Sequence, residues 1–338
     1  MKDINLFRND FNRRDFIKLS GMFMAALAIP ISGSNSKDKW GSVLPTRKLG
    51  KTGLDATLFT IGTGSSGGTY EEIEAIIETA INGGCRFFDT ARMYGKGARE
   101  TALGKFLTPK YRKEIILLSK SEAKNADDLN RNLETSLKEL NTNYLDVYLM
   151  HNIISTEDVD SRLNNGVLDA MLKAKEQGMI KHIGFSGHYD PDANIYLLDK
   201  HLPEIEVMMC PVNPVDPLRK SFVLNVLPKA VEKNVGIIGM KILGGGGLTG
   251  APINWGGVRG EKRESVIPEI ISFEDALHFA WSLPVSTTTL GCTNVEQVKM
   301  DIQYLHNFTG MSESKRNELT ERLKEVAMRN NFEHYKMK

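Results

Sequence analysis

Arg86-Phe87-Phe88-Asp89-Thr90-Ala91-Arg92-Met93-Tyr94-Gly95 is the stretch that decides the architecture. It reads as a short apolar strand ending in a carboxylate, followed five residues later by a tyrosine in a glycine-bounded loop. Parallel α/β proteins place their chemistry at such strand ends. Two later stretches repeat the pattern. Glu114-Ile-Ile-Leu-Leu-Ser-Lys120 ends on a lysine, and Tyr144-Leu-Asp-Val-Tyr-Leu-Met-His151 ends on a histidine. On parallel neighbouring strands, Asp89, Tyr94, Lys120 and His151 converge on one mouth.

Outward from this stretch the alternation continues. An apolar strand at 58–61 runs into Gly62-Thr63-Gly64-Ser65-Ser66-Gly67-Gly68, which matches neither the dinucleotide glycine fingerprint nor a phosphate-binding loop. Helical spacing of Ile73, Ile76, Ile77, Ala80 and Ile81 predicts a helix over 71–82, stopped by Gly83-Gly84. Further helices are predicted at 97–107, 127–140, 166–177, 191–201, 218–233, 273–281 and 294–306. Strands fall between them at 115–119, 145–150, 180–186, 206–210, 236–240 and 285–290, with a glycine-rich loop at 244–271. A last amphipathic helix is expected at 312–327. Strict alternation implies a parallel sheet. Eight strand–helix units in about 300 residues favour a closed (β/α)8 TIM barrel over an open doubly wound α/β sheet. One barrel domain over 37–310 is expected, with a C-terminal helix within 311–338 packed on it.

The 338 residues are 41% hydrophobic and 25% charged, which suits a globular chain with ample core. A net charge of +1 gives no reason to expect nucleic acid or an anionic membrane as partner. Cys85, Cys210 and Cys292 lie far apart and form no metal-ligand spacing, so no metal site is expected. The N-terminus differs from the rest. Asn12-Arg13-Arg14-Asp15-Phe16-Ile17-Lys18 precedes an apolar run from Met22 to Ile31, too short to span a bilayer comfortably. Paired arginines in this setting resemble a twin-arginine signal peptide. Residues 1–36 are therefore expected to direct export of the folded protein to the periplasm, with the twin-arginine export machinery as partner.

Each of the four strand-end residues has a bland reading by itself: a capping Asp, a rim tyrosine, a satisfied histidine. Lys120 is harder to dismiss, because an ammonium at a strand mouth needs a partner when buried. Together they suit carbonyl reduction. Hydride delivery to a C=O leaves a developing alkoxide, which needs a proton donor and oriented hydrogen bonds. Tyr94 would give the proton, Lys120 would make its phenol more acidic, Asp89 would hold the lysine, and His151 would orient the carbonyl oxygen. No residue is an obvious hydride source, so a nicotinamide is required.

These motifs resemble the aldo-keto reductase superfamily: Asp89-Thr-Ala-x-x-Tyr94-Gly95, the strand ending in Lys120, and Leu145-Asp-Val-Tyr-Leu-Met-His151-Asn152. Further landmarks are Arg47-Lys-Leu-Gly-Lys-Thr-Gly-Leu54, Ile183-Gly-Phe-Ser-Gly-His188 and Gly239-Met-Lys-Ile-Leu-Gly244. The resemblance implies a (β/α)8 barrel, an NAD(P)H cofactor and an Asp, Tyr, Lys, His tetrad. It also implies cofactor contacts. Gly62, Thr63, Gly64 and Asp89 would line the first turns, and Ser186 would hold the nicotinamide carboxamide. Met240, Lys241 and Leu243 would approach the pyrophosphate, and Gly291, Thr293 and Gln297 the adenosine. Where the family often has Asn and Gln, this chain has Gly187 and Met209. The family favours NADPH, but here Gln297 stands where an arginine is typical, and only Lys299 is basic nearby. Relaxed preference or NADH is the local expectation. Two other readings stand beside the reductase. Lys120 could be the nucleophile of a Schiff-base aldolase, or the chain could be a non-catalytic nucleotide-binding subunit that reports redox state.

Overall fold

The structure, a computed structural model, describes residues 36–65, 68–200, 202–251 and 264–337. The expected export signal falls outside them except for Ser36, as do residues 252–263 of the expected glycine-rich loop. Eight parallel strands pair in chain order and close into a barrel. They are β1 (Phe59–Gly62), β2 (Phe87–Asp89), β3 (Ile116–Ser121), β4 (Leu145–Ile153), β5 (Ile180–Gly187), β6 (Ile205–Pro211), β7 (Gly236–Met240) and β8 (Thr287–Gly291). Closure comes where β8 meets β1, with Thr288 opposite Phe59 and Gly291 opposite Gly62.

Strand periodicity of two sorts the side chains between the barrel interior and the helical shell. Phe87, Leu118, Val147, Leu149, Val207 and Met209 point inward and form one cluster. Their neighbours Phe88, Leu117, Tyr148, Met150, Met208 and Cys210 point outward into the larger cluster under the helices. The same parity continues to the strand ends. Asp89 is two residues beyond Phe87, Lys120 two beyond Leu118, and His151 two beyond Leu149, so all three are delivered into the top of the barrel.

Around the barrel lie α1 (Tyr70–Asn82), α2 (Ala98–Phe106), α3 (Ala126–Glu139), α4 (Val167–Glu176), α5 (Pro191–Asp199), α6 (Leu227–Glu232), α7 (Phe273–Trp281) and α8 (Val295–His306). Their starts are chemical. Thr69 and Glu72 form a reciprocal capping box on α1, Asn125 caps α3, Ser272 and Asp275 box α7, and Asn294 caps α8. The helix predicted over 218–233 is broken, into a turn at Asp216–Leu218 and short helices at Phe222–Asn225 and Leu227–Glu232. Pro228 cannot donate an N–H within a continuing helix, so the chain restarts there. A helix at Thr156–Asn164, not predicted, is inserted between β4 and α4.

The barrel floor is sealed by an antiparallel hairpin, Thr46–Lys48 against Asp55–Thr57, whose Leu49 and Ala56 join the interior cluster. Gly50 carries a φ of 53°, and a Cβ there would lie 2.2 Å from the nitrogen of Gly236, so only glycine lets the hairpin come this close. Arg47 fastens the seal. Its guanidinium donates to the carbonyls of Trp281 (2.8 Å), Leu283 (3.3 Å) and Val285 (2.8 Å) at the end of α7. Burial lowers its pKa to about 10, and it remains a cation at neutral pH. At the other end, α9 (Glu313–Arg329) buries Leu319, Leu323 and Val326 against Val215, Leu248 and Ala276.

Candidate active site

The four strand-end residues meet at the barrel mouth. Lys120 is 1% exposed, and its ammonium uses all three of its donors. It pairs with Asp89 Oδ1, donates to the Thr90 carbonyl at 2.7 Å, and reaches the Tyr94 hydroxyl at 3.4 Å. The second Asp89 oxygen accepts from Thr289 Oγ1 of β8 at 3.2 Å. Tyr94 stands edge-on to His151 with ring centroids 5.8 Å apart. A Cβ on Gly64 would come within 3.2 Å of the Tyr94 ring, so the turn after β1 packs directly on the phenol.

Tyr94 is aimed by its own loop. Arg92 forms ion pairs with Glu100 (3.0 Å) and Glu139 (2.8 Å), and its N–H donates to the Lys120 carbonyl at 3.0 Å. Glu100 is fully buried and accepts from Ser119 at 2.6 Å, so the loop is tied to the strand that carries the lysine.

The electrostatics follow from burial. Burial alone would lower the Lys120 pKa, but Asp89 and Tyr94 carry it above its ordinary value and keep it charged. Burial raises the Tyr94 phenol while Lys120 pulls against it, so the resting phenol keeps its proton. Burial, Lys120, His188 and Lys241 together hold His151 well below its ordinary value, as a neutral imidazole. Its Nδ1 is buried with no hydrogen-bond partner among the described residues. This arrangement offers a neutral acid, a cation behind it and a neutral hydrogen-bonding ring within one small opening.

The remaining sequence-derived positions lie around the same mouth. Ser186, inward on β5, accepts from the Asn152 N–H at 3.0 Å. Lys241 follows β7 with a φ of 57°, and burial and then Lys120 lower its pKa to about 8. Gly244, Gly245 and Gly246 follow with φ of 60°, 65° and 89°, a left-handed backbone suited to glycine, in which the N–H groups of Gly244 and Gly246 donate to the carbonyls of Lys241 at 2.8 Å and Leu243 at 3.0 Å. Gly62 and Gly291 are paired across β1 and β8, where a Cβ on Gly62 would lie 2.6 Å from Thr289 Oγ1. Thr63 has a buried hydroxyl with no partner among the described residues. Gln297 folds back to accept from the N–H of Thr293 at 2.7 Å, and Lys299 is paired with Glu296 at 2.7 Å. These glycine-lined approaches, the buried cation of Lys241 and the orphaned hydroxyl fit an elongated phosphate-bearing dinucleotide.

One part of the mouth was missed in the sequence. After α9 the chain turns back, and Phe332, Glu333, His334, Tyr335 and Lys336 are all buried. Tyr335 packs edge-on to His188, which follows β5, at 5.9 Å, and Asn213, beyond β6, donates to Glu333 at 2.9 Å. Lys336 pairs with Asp216 at 2.6 Å and with Glu333 at 2.8 Å. Phe332 and Tyr335 beyond the last helix were the available signal, since aromatics seldom trail into solvent.

Residues 58–333 match the aldo/keto reductase family. The chain belongs to that family. Among curated relatives, a Schizosaccharomyces pombe aldo-keto reductase whose name specifies NADP(+) is 28% identical over 228 residues, covering 62% of this chain and 64% of its own length. The Escherichia coli protein tas is 25% identical over 322 residues, covering 77% of this chain and 92% of its own. Among solved structures, a Bacillus halodurans aldo-keto reductase in its holo form superposes with a TM-score of 0.67 at 22% identity. That match covers 82% of this chain and 95% of the other. Family membership accounts for the closed barrel of eight parallel strands.

Proposed function

We propose that the chain reduces a small aldehyde or ketone to an alcohol with a nicotinamide cofactor, Tyr94 giving the proton. The observation that carries this reading is the meeting of Tyr94, Lys120, Asp89 and His151 at one mouth. Bound reduced nicotinamide would supply the hydride. Ser186 would hold its carboxamide. Lys241 would face the pyrophosphate, and the turn at Gly291–Thr293 the adenosine. His151 Nδ1 or its partner nitrogen orients the carbonyl oxygen beside the Tyr94 hydroxyl. As negative charge grows on that oxygen, the phenol proton moves to it, and the Lys120 ammonium stabilises the phenolate left behind. Asp89 keeps the ammonium in place.

The test is oxidation of NADPH and NADH by the purified protein with a panel of aldehydes, ketones and sugars. Absence of turnover with every member would sink the reading in favour of a nucleotide-binding subunit. A Schiff-base aldolase is disfavoured by Lys120 itself, because the nucleophile must be a neutral amine and this one is held charged by Asp89. Borohydride with a carbonyl compound should therefore trap no adduct on Lys120.

Cofactor choice rests on the turn before α8. A 2′-phosphate needs a cation, yet Gln297 is neutral and Lys299 already has Glu296. Little preference between NADPH and NADH is expected. Gln297→Arg should tighten NADPH selectively by about tenfold or more, since a hydrogen bond to a charged group contributes ~1.5–3 kcal/mol. Dissociation constants for both cofactors decide it, and equal tightening of NADH would refute the placement of the phosphate.

Export is proposed on the sequence of residues 1–36. Arg13 and Arg14 both replaced by Lys should leave the folded protein in the cytoplasm. Unchanged appearance of that variant in the periplasmic fraction would remove the twin-arginine reading.

A further inference from the structure

The strand that carries His151 is not regular at its end. Through Met150 opposite Phe185, β4 and β5 pair residue for residue; the register then shifts, and Ile153 falls opposite Gly187. Three steps on β4 answer two on β5, so His151 and Asn152 form a bulge. Asn152 has a φ of 61°, rare for a residue with a side chain. A bulge turns backbone groups away from the ladder, and buried ones must find other partners.

Arg162, on the inserted helix Thr156–Asn164, supplies them. It is 1% exposed. Its two terminal nitrogens donate to the His151 carbonyl at 2.8 Å and the Asn152 carbonyl at 3.1 Å. The guanidinium is held in turn by Asp158, from Nε at 3.1 Å and from a terminal nitrogen at 3.0 Å. Asp158 also accepts from the Ile154 N–H at 3.2 Å and pairs with Lys124 at 2.5 Å. On the other side of the bulge, the Asn152 N–H donates to Ser186 Oγ at 3.0 Å. A planar fork suits two successive carbonyls that only a bulge presents together, which a lysine ammonium cannot match.

We propose that Arg162 is a positioning residue: by clasping the carbonyls of His151 and Asn152 it fixes the bulge that sets the imidazole against Tyr94 and holds Ser186. The inference rests on the reductase reading above, and it adds a residue outside the tetrad on which that chemistry depends. Removal of the clasp frees the bulge and lets the imidazole swing. Misplacement of a reacting group by about 1 Å can cost on the order of 10²-fold in rate.

The test uses the full chain carrying Arg162→Ala and, for the case in which that variant does not fold, Arg162→Lys. Three quantities are measured: kcat and KM for one aldehyde, the cofactor Kd, and the ¹⁵N signals of the His151 ring without cofactor. Arg162→Ala should lower kcat about 10²-fold while the adenosine-side contacts keep the Kd within about threefold of wild type. Added guanidinium ion should restore part of that loss in Arg162→Ala and none in Tyr94→Phe. Arg162→Lys should be impaired and insensitive to guanidinium. The ring signals should show a changed tautomer balance in either variant. Wild-type kcat in the variants, or a loss that guanidinium does not relieve with unchanged ring signals, overturns the proposal. A wild type inactive on every carbonyl refutes the reductase reading instead, and the ring signals then still decide whether Arg162 governs His151.

Discussion

Tyr94→Phe should lower kcat by about 10²–10⁴, the usual worth of a positioned general acid. The substitution keeps the ring that packs on Gly64 and stands edge-on to His151, and removes only the hydroxyl facing Lys120. Cofactor affinity and thermal stability should therefore change little. Single-turnover reduction of one aldehyde at saturating cofactor isolates the chemical step. If wild type and variant agree within a few-fold while chemistry limits the rate, Tyr94 is not the acid.

Lys120→Met should be as damaging to kcat, about 10²–10⁴ by the same acid-catalysis argument, and it should also destabilise the fold. The ammonium is the partner of a carboxylate that is itself almost wholly buried. Breaking such a pair from one side typically costs about 3–5 kcal/mol, because the other charge is left uncompensated. The pH dependence has a definite sign. Burial already pushes the Asp89 carboxyl upward, and without Lys120 only the Thr289 hydrogen bond and the charge of Lys241, both weaker influences, still oppose it. A carboxyl raised above its unfolded value penalises the folded state as pH rises beyond the unfolded pKa of about 3.9, and the penalty vanishes below it. The stability gap between variant and wild type should thus widen from acid to neutral pH. Adding Asp89→Asn to Lys120→Met should recover much of the stability and none of the rate. Denaturant midpoints at two pH values and the rate of the double variant check each part. Recovery of activity in the double variant would show that Lys120 serves only to neutralise Asp89.

The barrel was legible because its signals are local and periodic. Phe87-Phe88-Asp89 and Leu118-Ser119-Lys120 state both the strand and which residue points inward. What escaped depends on partners far away in the chain. Arg162 looks like an ordinary helix residue until its carbonyl acceptors at His151 and Asn152 are in place, and the bulge between them has no mark in composition. The helix that carries it buries little besides Val159 and Arg162, so its apolar stripe is too thin to read. Lys336 likewise reads as a solvated charge, since nothing near it in sequence announces Asp216. Pro228 was visible and should have broken the predicted helix at 218–233.

The floor of the barrel bears on the order of folding. Arg47 belongs to a hairpin made early in synthesis, yet its carbonyl acceptors are Trp281, Leu283 and Val285. β1 likewise waits for Thr288 before its outer edge is paired. Such distant contacts slow folding and leave strand edges open meanwhile. Nascent chains ending before residue 281 should stay protease-sensitive throughout, with the guanidinium of Arg47 still in water, and protection should arrive in one late step once the eighth strand emerges.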